Sequence, residues 1–175
     1  MSLLLVLRSG ATRAALALLV IVSGCSEQPT GVRPPIYRNL AESAGQLDEA
    51  AALSMVNAYR ANNGVKPVRI DPRLTGLALG YARELAAAAD RGAAIRPDGR
   101  LDSRLAAAGY AKAAAKESVS AGYYTLAEAF SGWRDSPPHR ETMLMPDADD
   151  MGIAAVYVPG TKYKVYWVLV MAREG

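Results

Sequence analysis

The apolar pattern of this chain changes period, and that change limits the folds open to it. From residue 47 to Trp133 apolar residues recur mainly at helical spacing, whereas residues 152–158 and 163–172 are runs rich in Val, Ile, Tyr and Trp. Pro159-Gly160-Thr161-Lys162 separates the two runs, a β-hairpin signal. Lys164, between Tyr163 and Val165, marks an exposed strand end. Helices that precede antiparallel strands predict an α+β fold with a sheet covered by helices.

The helical part divides at its own stop signals. Ala52, Met55, Val56 and Tyr59 form one buried stripe, ended by Asn63-Gly64. After an extended piece at residues 65–70, Asp71-Pro72 supplies an N-cap and a first-turn proline. Leu74, Leu77, Ala78, Tyr81 and Leu85 form the next stripe, stopped near Arg91-Gly92, with close helix packing expected of the alanines at 86–89. Arg96-Pro97-Asp98-Gly99 is a turn, and residues 101–108 a third helix closed by Gly109. The alanines at 113–115 read as a loop or frayed turn, and residues 117–122 as a strand. Thr125 and Glu128 form a capping box for a fourth helix with Leu126, Ala129, Phe130 and Trp133 inward. Pro137-Pro138 interrupts that helix just before His139.

Two counts exclude whole classes of site. One cysteine precludes a disulfide framework within the chain, and one histidine precludes any site needing two imidazoles from one chain. The 51% hydrophobic content excludes a disordered chain. The formal charge of +3 overstates any affinity for nucleic acid. Arg8 and Arg13 lie in an N-terminal leader without acids, which leaves 18 basic against 17 acidic side chains. Nucleic-acid binders carry a clustered basic face, so no nucleic-acid partner is expected.

Residues 1–24 read as a secretory signal peptide, with an apolar run at 14–22 far too short to span a bilayer. Val22-Ser23-Gly24-Cys25 resembles the bacterial lipobox, whose cysteine is diacylated and becomes the mature N-terminus. Two or three acyl chains, at about 0.8 kcal/mol per buried CH₂, anchor a protein stably. Ser26, where an Asp would signal inner-membrane retention, favours the outer membrane in a cell that has one. Residues 25–46, with Pro, Gly, Ser and mixed charges, read as a flexible tether that acts as a spacer. The expected localisation is therefore the bacterial cell envelope, with the membrane as partner through lipid on Cys25.

Several segments, in order, resemble the CAP superfamily (SCP domain), the group of cysteine-rich secretory, antigen 5 and pathogenesis-related proteins. They are Val56-Asn57-Ala58-Tyr59-Arg60, Asp71-Pro72-Arg73-Leu74, Pro97-Asp98-Gly99, Ala108-Gly109-Tyr110, Ser136-Pro137-Pro138-His139-Arg140 and Gly152-Ile153 with Tyr166-Trp167. The likeness makes residues 47–175 one domain and implies an α-β-α sandwich, a central antiparallel sheet between helical layers. It also implies a cleft with two histidines and two acids that bind divalent metal in some members. His139 matches the second histidine and Glu117 one acid, but Ala94 stands where the first histidine would be and Ser136 where the other acid would be. The resemblance therefore implies a lost metal site, and no metal or cofactor is expected.

The cleft candidates are Glu117, His139, Ser118 and Ala94. His139 reads first as a structural or binding residue hydrogen-bonded to Glu117, with no catalytic residue in the chain. The alternative is a protease-like hydrolase in which His139 is the base, Ser118 or Ser136 the nucleophile and Glu117 the orienting carboxylate. Tyr123-Tyr124, Tyr163, Tyr166 and Trp167 are either core residues or the lining of a groove for an apolar or sugar-like ligand. The preferred reading is a non-catalytic binding module for a lipid, a cell-wall component or a protein.

Overall fold

The computed structural model describes residues 33–175. The leader, Cys25 and the first part of the expected tether lie outside the described residues. A 3-10 turn at Pro35–Tyr37 leads into α1 (Glu49–Asn62), β1 (Arg69–Ile70), α2 (Pro72–Asp90) and α3 (Leu101–Ala107). Then follow β2 (Lys112–Ala121), α4 (Leu126–Asp135), α5 (Pro137–Met143), β3 (Asp150–Tyr157) and β4 (Val165–Glu174). No helix among them is long and apolar enough to cross a membrane.

The helix starts are chemical. Asp48 accepts from the Ala51 N–H to open α1, and Asp71 accepts from Arg73 and Leu74 to open α2, with Pro72 in the first turn. Thr125 and Glu128 exchange the reciprocal bonds of a capping box at α4. Pro137-Pro138 does more than interrupt α4. Ser136 is extended, the conformation favoured before proline, and Pro137 begins a separate helix, α5, that carries His139.

The sheet order is β1-β3-β4-β2. β4 pairs antiparallel with both β2 and β3, whereas the short β1 runs parallel to β3, so the sheet is mixed rather than wholly antiparallel. β4 is central and buried on both faces from Val165 through Ala172, hence its unbroken apolar run. Its alternate residues feed two cores. Trp167, Leu169 and Met171 meet Val56, Trp133 and Met143 from the α1, α4 and α5 side. Tyr166, Val168 and Val170 meet Leu74, Tyr81, Leu85 and Leu105 from the α2 and α3 side. Each such side chain contributes about 1.5–3 kcal/mol on burial. These two cores make the α-β-α layering.

Other expectations change. Residues 113–115 are not a loop but the start of β2, paired with β4 after a register shift between Lys112 and Ala114. Alanine has low β propensity, and ladder pairing overrides it here. Lys164 is not in a strand end but in the turn before β4, at φ +64°. Residues 33–46 are not a free spacer: Leu40 is 2% exposed and its N–H donates to the Tyr124 carbonyl. Buried Arg60 donates to the carbonyls of Lys66, Met143 and Met145, tying α1 to the α5–β3 connection.

Candidate functional site

Strand alternation decides which way each residue of β2 faces. Lys116 reaches Glu141 of α5, and Ser120 accepts from the Trp133 indole of α4, so even positions face the α4–α5 layer. Val119 packs in the core on the other face, and Glu117 shares that direction. There Glu117 Oε2 accepts from Arg104 Nη2 at 2.7 Å, with side-chain exposures of 5% and 14%. Arg104 Nη1 donates to both Asp98 oxygens at 2.9 and 3.0 Å. The guanidinium lies 3.6 Å over the Tyr81 ring, a cation–π contact strengthened by partial desolvation.

Asp98 is itself well held. It accepts from the Arg100 backbone N–H at 2.9 Å and from Arg100 Nε at 2.8 Å, while its own N–H donates to the Tyr81 hydroxyl. Burial pushes the Asp98 carboxyl up, but the Arg100 amide and the Arg104 and Arg100 guanidiniums prevail and keep it well below the ordinary range. Glu117 goes the other way: burial raises it, and Arg104 offsets only part of that rise.

His139 stands elsewhere. It is half-buried on α5, whose Met143 packs in the core on the opposite side of the sheet from Glu117. Burial lowers the imidazole from its ordinary value. The expected His139–Glu117 hydrogen bond is therefore corrected: the carboxylate is held by Arg104, and β2 separates the two side chains. Ser118 is fully buried and its hydroxyl finds no partner among the described residues. Ser136 lies in the α4–α5 corner. Nucleophile, base and orienting acid are not assembled.

Ala94 does line a cleft. It lies in the 91–100 loop, exposed, beside an opening of about 790 Å³ that also takes in Tyr81, Leu85, Ala88, Asp98 and Arg100. Of the four cleft candidates it alone lines this opening, and Glu117 reaches the wall only through Arg104 and Asp98. Sequence reasoning missed Arg104, Tyr81 and the arginines of this loop as site residues. One signal was present: Arg104 falls one helical turn after Leu101, on the inward stripe with Leu105, where a charge needs a partner.

The metal implied by the family resemblance does not fit these residues. Ala94 offers no side-chain ligand atom, and the Arg104 cation already occupies both Asp98 and Glu117. No group of three or more His, Cys, Asp or Glu is placed to hold a metal ion among the described residues. Of the candidate groove aromatics, Tyr166 and Trp167 are fully buried in the core. Tyr123 lines a shallower groove of about 680 Å³ with Tyr37 and Glu128.

Comparison with known proteins agrees with this architecture. The profile of the cysteine-rich secretory protein family, CAP, matches residues 53–171. An extracellular SCP-domain protein from Bacillus anthracis superposes with a TM-score of 0.59 at 18% identity, covering 71% of this chain and 40% of its own. An outer surface protein from Borrelia burgdorferi gives 0.60 at 20% identity, covering 75% and 99%. A cysteine-rich secretory protein from Staphylococcus aureus gives 0.55 at 17%, covering 82% and 42%. This chain thus spans less than half of the Bacillus and Staphylococcus chains, and the likeness at these identities is one of fold. No curated protein matches the sequence.

Proposed function

Because the chain belongs to the cysteine-rich secretory protein (CAP) family, we propose that it is a non-catalytic binding module displayed at the bacterial cell envelope. The observation that carries this reading is the state of Glu117. Its carboxylate is held by Arg104 on one side of β2, while His139 lies on the other. A hydrolase built on His139 and Glu117 needs those two groups, and a serine, within hydrogen-bond reach. Binding needs only a preformed concave surface, and the cleft beside Tyr81 and Asp98 offers one.

Attachment through lipid on Cys25 completes the proposal. The lipobox-like Val22-Ser23-Gly24-Cys25 supports it. So do the descriptions of two structural relatives as extracellular and outer surface proteins. The ligand classes in view are lipid, cell-wall component and protein.

Three measurements test this. Membrane fractionation of Cys25→Ala is expected to move the protein into the soluble exported fraction, and mass spectrometry of the parent to find an acylated N-terminal cysteine. An unmodified thiol in the mature chain would refute the anchor. Purified protein is expected to show no peptide or ester hydrolysis that His139→Ala or Glu117→Gln removes. A hydrolysis abolished by both substitutions in folded variants would establish the enzyme reading instead.

A further inference from the structure

We infer that the cleft between the C-terminal half of α2 and residues 91–100 binds an anionic amphiphile, a carboxylate or phosphate carried on a short apolar group. This inference rests on the binding-module reading and assigns its ligand class.

The cleft has the size of a small-molecule site, about 790 Å³. Its floor is apolar, made by Tyr81, Leu85, Ala88 and Ala94. Its wall carries three guanidinium groups, Arg91, Arg96 and Arg100, against two carboxylates, Glu84 and Asp98, and behind Asp98 stands the Arg104–Glu117 pair. The carboxylates are engaged within the protein. Asp98 is held by Arg100 and Arg104, Glu117 by Arg104, and Glu84 lies 3.5 Å from Arg100. Arg91 and Arg96 are exposed and make no ion pair among the described residues. The charge left for a ligand is therefore positive.

The wall that carries this charge is organised in advance. The Tyr81 hydroxyl donates to the Arg96 carbonyl and accepts from the Asp98 N–H, so it fixes the backbone on both sides of Pro97. Asp98 binds the Arg100 amide and holds the loop to α3 through Arg104. Little ordering of the backbone remains to be done on binding, which favours affinity. A guanidinium presents paired donors that match a carboxylate or phosphate, at roughly twice the strength of neutral hydrogen bonds. The apolar floor lies beside these donors, so a ligand with a charged head and a short hydrocarbon satisfies both. A divalent cation at this place would instead meet two uncompensated arginines. The polarity of the cleft is thus opposite to that of the metal site implied by the resemblance.

Titration calorimetry on the otherwise full-length Cys25→Ala protein, at low ionic strength, tests the inference with hexyl phosphate as probe. Inorganic phosphate and hexyltrimethylammonium serve as the headgroup-only and opposite-charge controls. Hexyl phosphate is expected to bind, at least tenfold more tightly than either control. The Arg91→Gln/Arg96→Gln variant, altered only at exposed positions, is expected to weaken it at least tenfold. Ala88→Trp, which fills the floor, is expected to abolish binding in a protein with unchanged circular dichroism. Absence of hexyl phosphate binding, equal binding by the double variant, or binding matched by either control would overturn the inference. Such a failure would leave the binding-module reading intact, because fractionation and the hydrolysis assays decide that reading separately.

Discussion

Arg104 joins groups that are distant in sequence: Asp98 in a turn, Glu117 on β2 and the ring of Tyr81 on α2. Removing it strands a carboxylate that is 5% exposed. Breaking such a buried pair costs about 3–5 kcal/mol, so Arg104→Ala is expected to lose about 3 kcal/mol in urea unfolding at pH 7. The pH dependence has a definite sign. Burial raises Glu117 above its unfolded value of 4.5 in the native protein, and loss of the Arg104 cation raises it further. A raised carboxyl destabilises the fold as pH rises through its native value and not below the unfolded one. The loss in Arg104→Ala is therefore expected to be smaller at pH 4 than at pH 7, and an equal loss at both would disprove the pairing. None of this was legible in sequence beyond an arginine on the inward stripe of a short helix. Spacing along a chain identifies faces of one element, but not the partner that folding brings from another.

The elements with local causes were the legible ones. Asp71-Pro72 and the Thr125–Glu128 box start helices through contacts within four residues, and the α2, α4 and hairpin expectations hold. What escaped had non-local causes. β2 extends back through three alanines because β4 offers a complete edge, and residues 33–46 are ordered by Leu40 entering the α1–α4 core, with Ile36 packed against it. One close approach fixes how α2 lies on the sheet. A Cβ at Gly152 of β3 would stand 2.2 Å from the Leu74 carbonyl carbon, which is backbone and cannot turn aside. Overpacking costs about 1–3 kcal/mol even where side chains yield. Gly152→Ala is therefore expected to lower stability by at least 2 kcal/mol, measured by thermal unfolding, and to leave the α4–α5 side less perturbed in amide exchange than α2. A loss under 0.5 kcal/mol would mean that α2 does not rest on β3 as described.

Across the whole domain the sheet acts as a partition. Its two faces carry separate cores, and β2 sends Glu117 into one and Lys116, Ser118 and Ser120 toward the other. The α+β class and the helical layers followed from the period change, but the side of the sheet on which each candidate residue falls depends on the β2 register, which a low-propensity alanine start concealed. That partition keeps His139 and Glu117 apart, and it underlies the proposal of a binding module over a hydrolase. An NMR titration of the His139 imidazole in the parent and in Glu117→Gln tests it directly. Burial alone lowers His139, so the two curves are predicted to superimpose, with the midpoint below the ordinary histidine value in both. A Glu117→Gln curve displaced to lower pH would show that the carboxylate supports the imidazolium, and would contradict the account.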